Sequence, residues 1–420
     1  MLHRSSPKPS TVRRPARRAP GLAGICLLPA MMLSACTSGP TGLFGNGGVG
    51  GPDATQATAP TPASRKVALL LPMSGANAFL GPALEKAARL GLDQQPGGPE
   101  IVVEDTRSTS AGAAEATRAA VAAGAGIIIG PLTAADTDAA APIAQAAAIP
   151  MLALTSDVGE ARPGVWVLGV TPEQQVARLV EGLRGSGQTR IGALLSQDAF
   201  GSAMADGLTT AAARAGLPPP RIERYGTGFS GINSGLRTVS DYAGRHPATD
   251  KGASAADAAA APSPGLPIDA LLLNATGTQL QEVISCLAFY DLQPDHIRIL
   301  GPGLWGAFAS KLKALPGAWF AAPDPSARTG YVQLYQARYH DSPRAITDIV
   351  YDAAALARSL SGDGYSAASL TREQGFAGVD GVFGLRPDGH VRRELAIFEI
   401  QPGGGAKVVQ PAPGVLSNGS

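Results

Sequence analysis

What most limits the folds open to this chain is its alternation of short, uninterrupted apolar runs with helical patterns. Val67–Leu71 ends at Pro72, and a helix pattern from about Pro82 to Gln94 sets Leu84, Ala88 and Leu92 at four-residue steps. Ile101–Val103 comes next, then an Ala-rich helix over 110–123 and Ile127–Ile129 before Gly130-Pro131. A second Ala-rich helix over 134–147 leads to Pro150–Leu154. Strands apolar at every position are buried on both faces, as in a parallel sheet covered by helices. The alternation predicts an α/β chain with a doubly wound first lobe.

The pattern then restarts. Thr171-Pro172-Glu173-Gln174 is a helix start, with Thr171 as N-cap, Pro172 in the first turn and Gln174 placed to reciprocate. Ile191–Leu195, a helix at 201–216, a strand near Arg221–Tyr225 and a helix over about 231–244 follow. Ile268–Leu273, a helix at 278–290 and Ile297–Leu300 complete a second set. Between them, residues 246–267 are an Ala/Ser/Pro/Asp stretch that buries little, and they read as a disordered insertion. After Trp319-Phe320 the spacing predicts helices over 327–340 and 344–360, a hairpin-like segment near 378–385, a turn at Pro387-Asp388-Gly389 and a strand at 394–400. Residues 402–420 read as a disordered tail. A folded part from about 66 to 401 is too long for one ordinary core and suits two lobes.

Ahead of that body stand Arg13, Arg14, Arg17 and Arg18, an apolar run from Gly21 to Met32, and Leu33-Ser34-Ala35-Cys36. Cations, then a core too short to span, then small residues form a secretory signal. The cysteine right after the small residues resembles the lipobox of bacterial lipoproteins, which implies cleavage after residue 35 and lipidation of Cys36. Residues 37–64, nearly all Thr, Ser, Gly, Pro and Ala, form a flexible spacer reaching about 30 Å. Six of the 34 Lys and Arg leave with residues 1–35, so 28 remain against 33 Asp and Glu, a formal net charge of −5. That charge, with no clustered cations, argues against a nucleic-acid partner. Cys26 leaves with the signal and Cys36 is the lipid anchor, so Cys286 is alone on an apolar helical pattern and reads as a buried hydrophobe. The histidines show no ligand spacing, and neither a metal nor a cofactor is expected.

Several motifs in order resemble the type I periplasmic solute-binding proteins of the Leu/Ile/Val-binding class. They are Val67–Leu71 with Pro72-Met73-Ser74-Gly75, Gly130-Pro131-Leu132-Thr133, Ile149-Pro150-Met151 with Thr155-Ser156, and Gly169-Val170-Thr171-Pro172. Asp198-Ala199-Phe200-Gly201, Leu300-Gly301-Pro302, Tyr351–Ala354 and Gly381–Leu385 complete the set. The resemblance covers 66–401 and implies two Rossmann-like lobes joined by three crossovers, with a small-molecule ligand held in the cleft between them. The lobes are expected as 66–170 plus 321–385 and 171–320 plus 386–401. Ser74, Thr133, Thr155, Ser156, Phe200 and Thr276 are the ligand-cleft candidates it implies. Two positions depart from the family. Ala134 stands where amino-acid-binding members offer a serine hydroxyl, and Gly303 where an acidic residue pairs with the ligand ammonium. An ammonium buried without a carboxylate costs several kcal/mol.

Other local signals carry less. Gly226–Gly231 spells a dinucleotide fingerprint but lies outside the first βαβ unit and lacks the following acidic residue. Ser310-Lys311-Leu312-Lys313 matches Ser-x-x-Lys without partner motifs and reads as a solvated helix face. Glu104-Asp105 reads as a solvated loop, and no nucleophile–base pair has context. The chain is expected to be a binder and not an enzyme. Thr37, in place of Asp after the anchor cysteine, resembles lipoproteins sent to the outer membrane, which places the body in the periplasm. The resemblance therefore extends to the lipoprotein branch that activates penicillin-binding proteins, whose partner is a peptidoglycan synthase. The alternative is a lipidated receptor docking on the permease of an ABC importer for branched-chain amino acids or related amides and carboxylates.

Overall fold

A computed structural model describes residues 65–93, 98–226, 228–246 and 265–416. The expected signal sequence, Cys36 and the spacer up to residue 64 lie outside these residues, as do Gln94, Thr227 and positions 247–264 of the expected insertion.

The first lobe is built on β1 (Val67–Leu71), β2 (Ile101–Asp105), β3 (Ile127–Ile129), β4 (Met151–Ala153) and β5 (Val165–Val167), all parallel, in the order β2-β1-β3-β4-β5. α1 (Gly81–Leu92), α2 (Ser110–Ala122) and α3 (Ala134–Ala146) fill the crossovers. Every residue of β1 is buried, and its alternation divides two cores. Val67, Leu69 and Leu71 pack with α1, whereas Ala68 and Leu70 meet the alanines of α2 and α3, whose small side chains let those helices lie close on the sheet.

The second lobe begins with α4 (Pro172–Gly185), capped as the sequence predicts: Thr171 Oγ1 accepts from Gln174 N, and Gln174 Oε1 accepts from Thr171 N. Then come β6 (Ile191–Ser196), α5 (Ala199–Arg214), β7 (Arg221–Tyr225), α6 (Phe229–Val239), α7 (Tyr242–Arg245), β8 (Ala270–Leu273), α8 (Gly277–Leu287), β9 (Arg298–Gly301) and β10 (Trp319–Ala322). The chain returns to the first lobe with α9 (Pro325–Tyr339), α10 (Ile346–Leu360) and α11 (Ala367–Leu370), whose side chains join the core of β1. The antiparallel pair β11 (Phe383–Leu385) and β12 (Val391–Arg393) follows. β13 (Ala396–Ile400) and β14 (Ala406–Gln410) then complete a second sheet of order β14-β13-β10-β9-β8-β6-β7. The result is an α/β pair of Rossmann-like lobes crossed three times by the chain: after β5, after β10 and after β12. Cys286 is a free, buried cysteine in the second-lobe core.

The structure corrects the sequence reading at five places. The tail expected to be disordered over 402–420 includes β14, whose Lys407 and Val408 pair with Glu399 and Phe398 of β13; the β-branched pair Val408-Val409 favours a strand once an edge is available. Ala321 and Ala322 stay in the second sheet, because they continue β10 against β13. Residues 386–393 stay with the first lobe, because β12 pairs with β11 and Trp166 Nε1 donates to Arg386 O. The helix expected over 231–244 breaks into α6 and α7 at Asp241, whose φ is 51°. The flanks of the insertion are held: His246 Nε2 lies 3.1 Å from Asp291 Oδ2, and Leu266 packs on the second core.

Candidate functional site

A cavity of about 450 Å³ opens where the loops after β3 and β4 meet the first two passages between the lobes. Leu132, Leu154, Val170, Ile346 and Ile349 give it apolar walls, and Thr155, Ser156 and Asp380 are its polar members. This is the carboxyl edge of the first sheet, where doubly wound folds bind ligands. Local sequence explains the shape. Gly169 N donates to Thr155 O at 2.9 Å, and a Cβ at 169 would stand 2.4 Å from that oxygen, so only glycine lets the first passage lie flat on the Thr155 loop. Ile346 and Ile349 are three apart on the first turns of α10, beside the Val350, Ala353 and Ala357 stripe that enters the core.

The charge on this cavity comes from an adjoining buried cluster. Arg393, wholly buried, approaches Asp352 at 3.5 Å and donates to the carbonyl oxygens of Leu168 at 3.1 Å and Asp380 at 3.5 Å. Arg328 pairs with Asp348. Asp352 also accepts from Val379 N at 2.7 Å and Asp380 N at 3.3 Å. Burial pushes the Asp352 carboxyl up to about 7 despite Arg393, and the Asp348 carboxyl up to about 6 despite Arg328. Burial likewise raises Asp380, against the attraction of Arg393 and Arg328. Sequence reasoning met Asp352 only inside a fold motif and passed over Asp380, because nothing in a turn such as Gly378-Val379-Asp380-Gly381 marks its aspartate as buried.

The sequence-predicted cleft residues separate. Thr155 and Ser156 share the cavity wall. Thr155 Oγ1 also accepts from Asp157 N. Ser74, Thr133, Phe200 and Thr276 do not line it. Ser74 is exposed on the loop after β1 and donates its hydroxyl to Asp105 Oδ2 at 2.6 Å. Asp105 gathers that loop by accepting from Met73 N, Ser74 N and Arg107 N as well; burial raises its carboxyl, but these hydrogen bonds outweigh it and hold it below the usual range. It is thus a structural anchor where the sequence suggested a solvated loop. Thr133 Oγ1 caps α3, Phe200 packs on a second-lobe core, and Thr276 precedes α8 without a side-chain cap.

On the second lobe, Gly303 N donates to Gln175 Oε1 at 2.7 Å. A Cβ at 303 would lie 2.8 Å from Ala321 O, so this position has no room for the acidic side chain that amino-acid binders carry. Phe79, Phe229 and Leu304 are exposed after β1, β7 and β9, which leaves apolar side chains at the carboxyl edges of both sheets. A second cavity of about 620 Å³ follows the flanks of α4 and α5 and the β11–β12 turn. Its lining is of mixed charge, six arginines and His390 against five carboxylates. Among the described residues no His/Cys/Asp/Glu group could hold a metal ion, and no helix is long and apolar enough to cross a membrane.

With this geometry in place, comparison with known proteins is informative. The family model described as periplasmic binding protein matches residues 64–406. No curated protein sequence matches. Among solved structures, a Rhodospirillum rubrum branched-chain amino acid ABC transporter protein is similar at TM-score 0.63 and 18% identity, over 82% of this chain and 99% of its own. An R. palustris ABC transporter solute-binding protein, solved with benzoate, is similar at TM-score 0.52 and 20% identity, over 85% of this chain and 98% of its own. Full-length LpoA from Haemophilus influenzae is similar at TM-score 0.60 and 18% identity, over 83% of this chain but 59% of its own. At such identities the likeness shows the fold alone.

Proposed function

The chain belongs to the periplasmic binding protein family, and from that premise we propose that it is a non-enzymatic envelope lipoprotein that regulates a peptidoglycan synthase of the penicillin-binding class. In this reading Cys36 carries the lipid, the spacer holds the body off the outer membrane, and the two lobes present a surface to the synthase in the periplasm. The observation that carries it is Gly303. Where the family resemblance puts the carboxylate that compensates an amino-acid ammonium, this chain has Gly303, and the crowding by Ala321 O leaves no space for one. Desolvating an ammonium against the second lobe without a partner costs several kcal/mol, and the cavity on the first lobe has no basic side chain in its wall for a zwitterion's carboxylate. The similarity of fold to LpoA, and the sequence resemblance to the lipoprotein branch that activates penicillin-binding proteins, support the same reading.

A second reading is the binding lipoprotein of an ABC importer, favoured by the cavity at the carboxyl edge of the first sheet and by the importer proteins among the structural neighbours. Isothermal titration with leucine, isoleucine and valine separates the two. The regulatory reading expects dissociation constants no tighter than about 1 mM. Micromolar binding of any of them would transfer the function to the importer.

A further inference from the structure

The cluster beside the cavity does not balance. Three carboxylates, Asp348, Asp352 and Asp380, face two guanidinium groups, Arg328 and Arg393. Each guanidinium has its ion pair elsewhere, Arg328 with Asp348 and Arg393 with Asp352, and attracts Asp380 only from further off. Asp380 forms no ion pair among the described residues, and its carboxylate accepts no hydrogen bond from any of them; Arg393 reaches only its carbonyl oxygen. It is 5% exposed and lines the cavity. A buried carboxylate with no ion pair of its own is costly: it takes up a proton, or a cation where one can reach it. No other charged residue lines the cavity. The start of α10 adds a partial positive charge of about half an elementary charge at most, less than the full charge of an ionised Asp380. Apolar side chains make up most of the remaining wall, and about 450 Å³ is within the range of small-molecule sites.

We propose that this cavity binds an organic amine, an ammonium group on a branched or cyclic apolar body without a carboxylate, with Asp380 as its counter-ion. The ammonium would meet Asp380 and the hydroxyls of Thr155 and Ser156, and the apolar body would lie against Leu132, Leu154 and Ile349. A free carboxylate on the ligand would find no basic side chain there, which separates this specificity from that of zwitterion binders. The inference rests on reading the cleft as a ligand site and is independent of which macromolecular partner the protein has.

The test is thermal shift and titration of the purified full-length protein with three probes of one shape: 3-methylbutylamine, 3-methylbutanol and 3-methylbutanoate. The amine is expected to raise the melting temperature and to bind at least about tenfold more tightly than the alcohol, the ratio a charged hydrogen bond supplies, and the carboxylate is expected not to bind. Asp380→Asn, nearly isosteric, should lose that tenfold preference while keeping the wild-type circular dichroism spectrum. Equal binding of amine and alcohol, preference for the carboxylate, or an undiminished amine preference in Asp380→Asn would overturn the cation assignment and leave the cavity a ligand site. Stabilisation by none of the three at about 10 mM would overturn both. The three-probe comparison on the wild type decides the matter even if the variant fails to fold.

Discussion

Replacing Arg393 with methionine should destabilise the protein by an amount that depends on pH in a direction the structure dictates. Arg393 joins Leu168 on the first passage, Asp352 on α10 and Asp380 ahead of the third passage. At 3.5 Å from Asp352, and with an effective dielectric constant of about 20, the Coulomb attraction is about 5 kcal/mol. Removing one partner of a buried pair costs about 3–5 kcal/mol because the other charge is stranded. The Asp352 carboxyl is raised to about 7. A raised carboxyl favours the folded state when protonated, so its contribution is full below its unfolded value near 4 and is lost as pH rises through about 7. At pH 8 Asp352 is ionised, and Arg393→Met should cost the full 3–5 kcal/mol. At pH 5 it is protonated, and the variant loses mainly two hydrogen bonds to carbonyl oxygens, about 2 kcal/mol together. Urea unfolding followed through Trp166, Trp305 and Trp319, all buried, reads the difference. With a denaturant slope of about 3 kcal/mol per molar, the midpoint should fall by about 1 M or more at pH 8 and by clearly less at pH 5. Adding Asp352→Asn should recover most of the pH 8 loss. An equal or larger loss at pH 5 would refute the reasoning.

Gly303→Glu should cost about 1–3 kcal/mol through overpacking against Ala321 O and should not create amino-acid binding, even with Ala134→Ser; calorimetry and titration check both. Asp105→Ala should cost about 1–2 kcal/mol by removing the acceptor of three backbone N–H groups, with amide exchange at Met73 and Ser74 accelerated. Because its carboxyl sits below the usual range, that difference should be full above about pH 4 and shrink as pH falls through the folded value. Cys36→Ala should move the protein from the membrane fraction to the soluble fraction, since two acyl chains anchor stably where one does not; its recovery in membranes would contradict lipidation at Cys36.

Where neighbours in sequence determine an element, the sequence was legible. The apolar runs of β1, β3, β6 and β8 and the capping box at Thr171–Gln174 depend on residues a few positions apart. The site was less legible because its contacts are distant: Arg393 and Leu168 are 225 residues apart, and Gly303 and Gln175 are 128 apart. Asp380 in a Gly-rich turn and Asp105 at the end of a strand look alike as sequence, and only packing makes one a buried carboxylate and the other a loop anchor. β14 escaped because a strand next to Gly-Gly-Gly and Pro reads as tail until β13 offers it an edge. Thr133 and Ser74 were plausible cleft hydroxyls, yet each is engaged locally, one capping α3 and the other bonded to Asp105.

The regulatory function is tested most directly by glycan-strand synthesis. A purified class A penicillin-binding protein in detergent would be assayed on lipid-linked precursor with increasing amounts of this protein. The account predicts saturable stimulation at equimolar to few-fold excess. An unchanged synthesis rate at saturating protein, together with micromolar binding of a branched-chain amino acid, would contradict it and make the protein an importer's receptor.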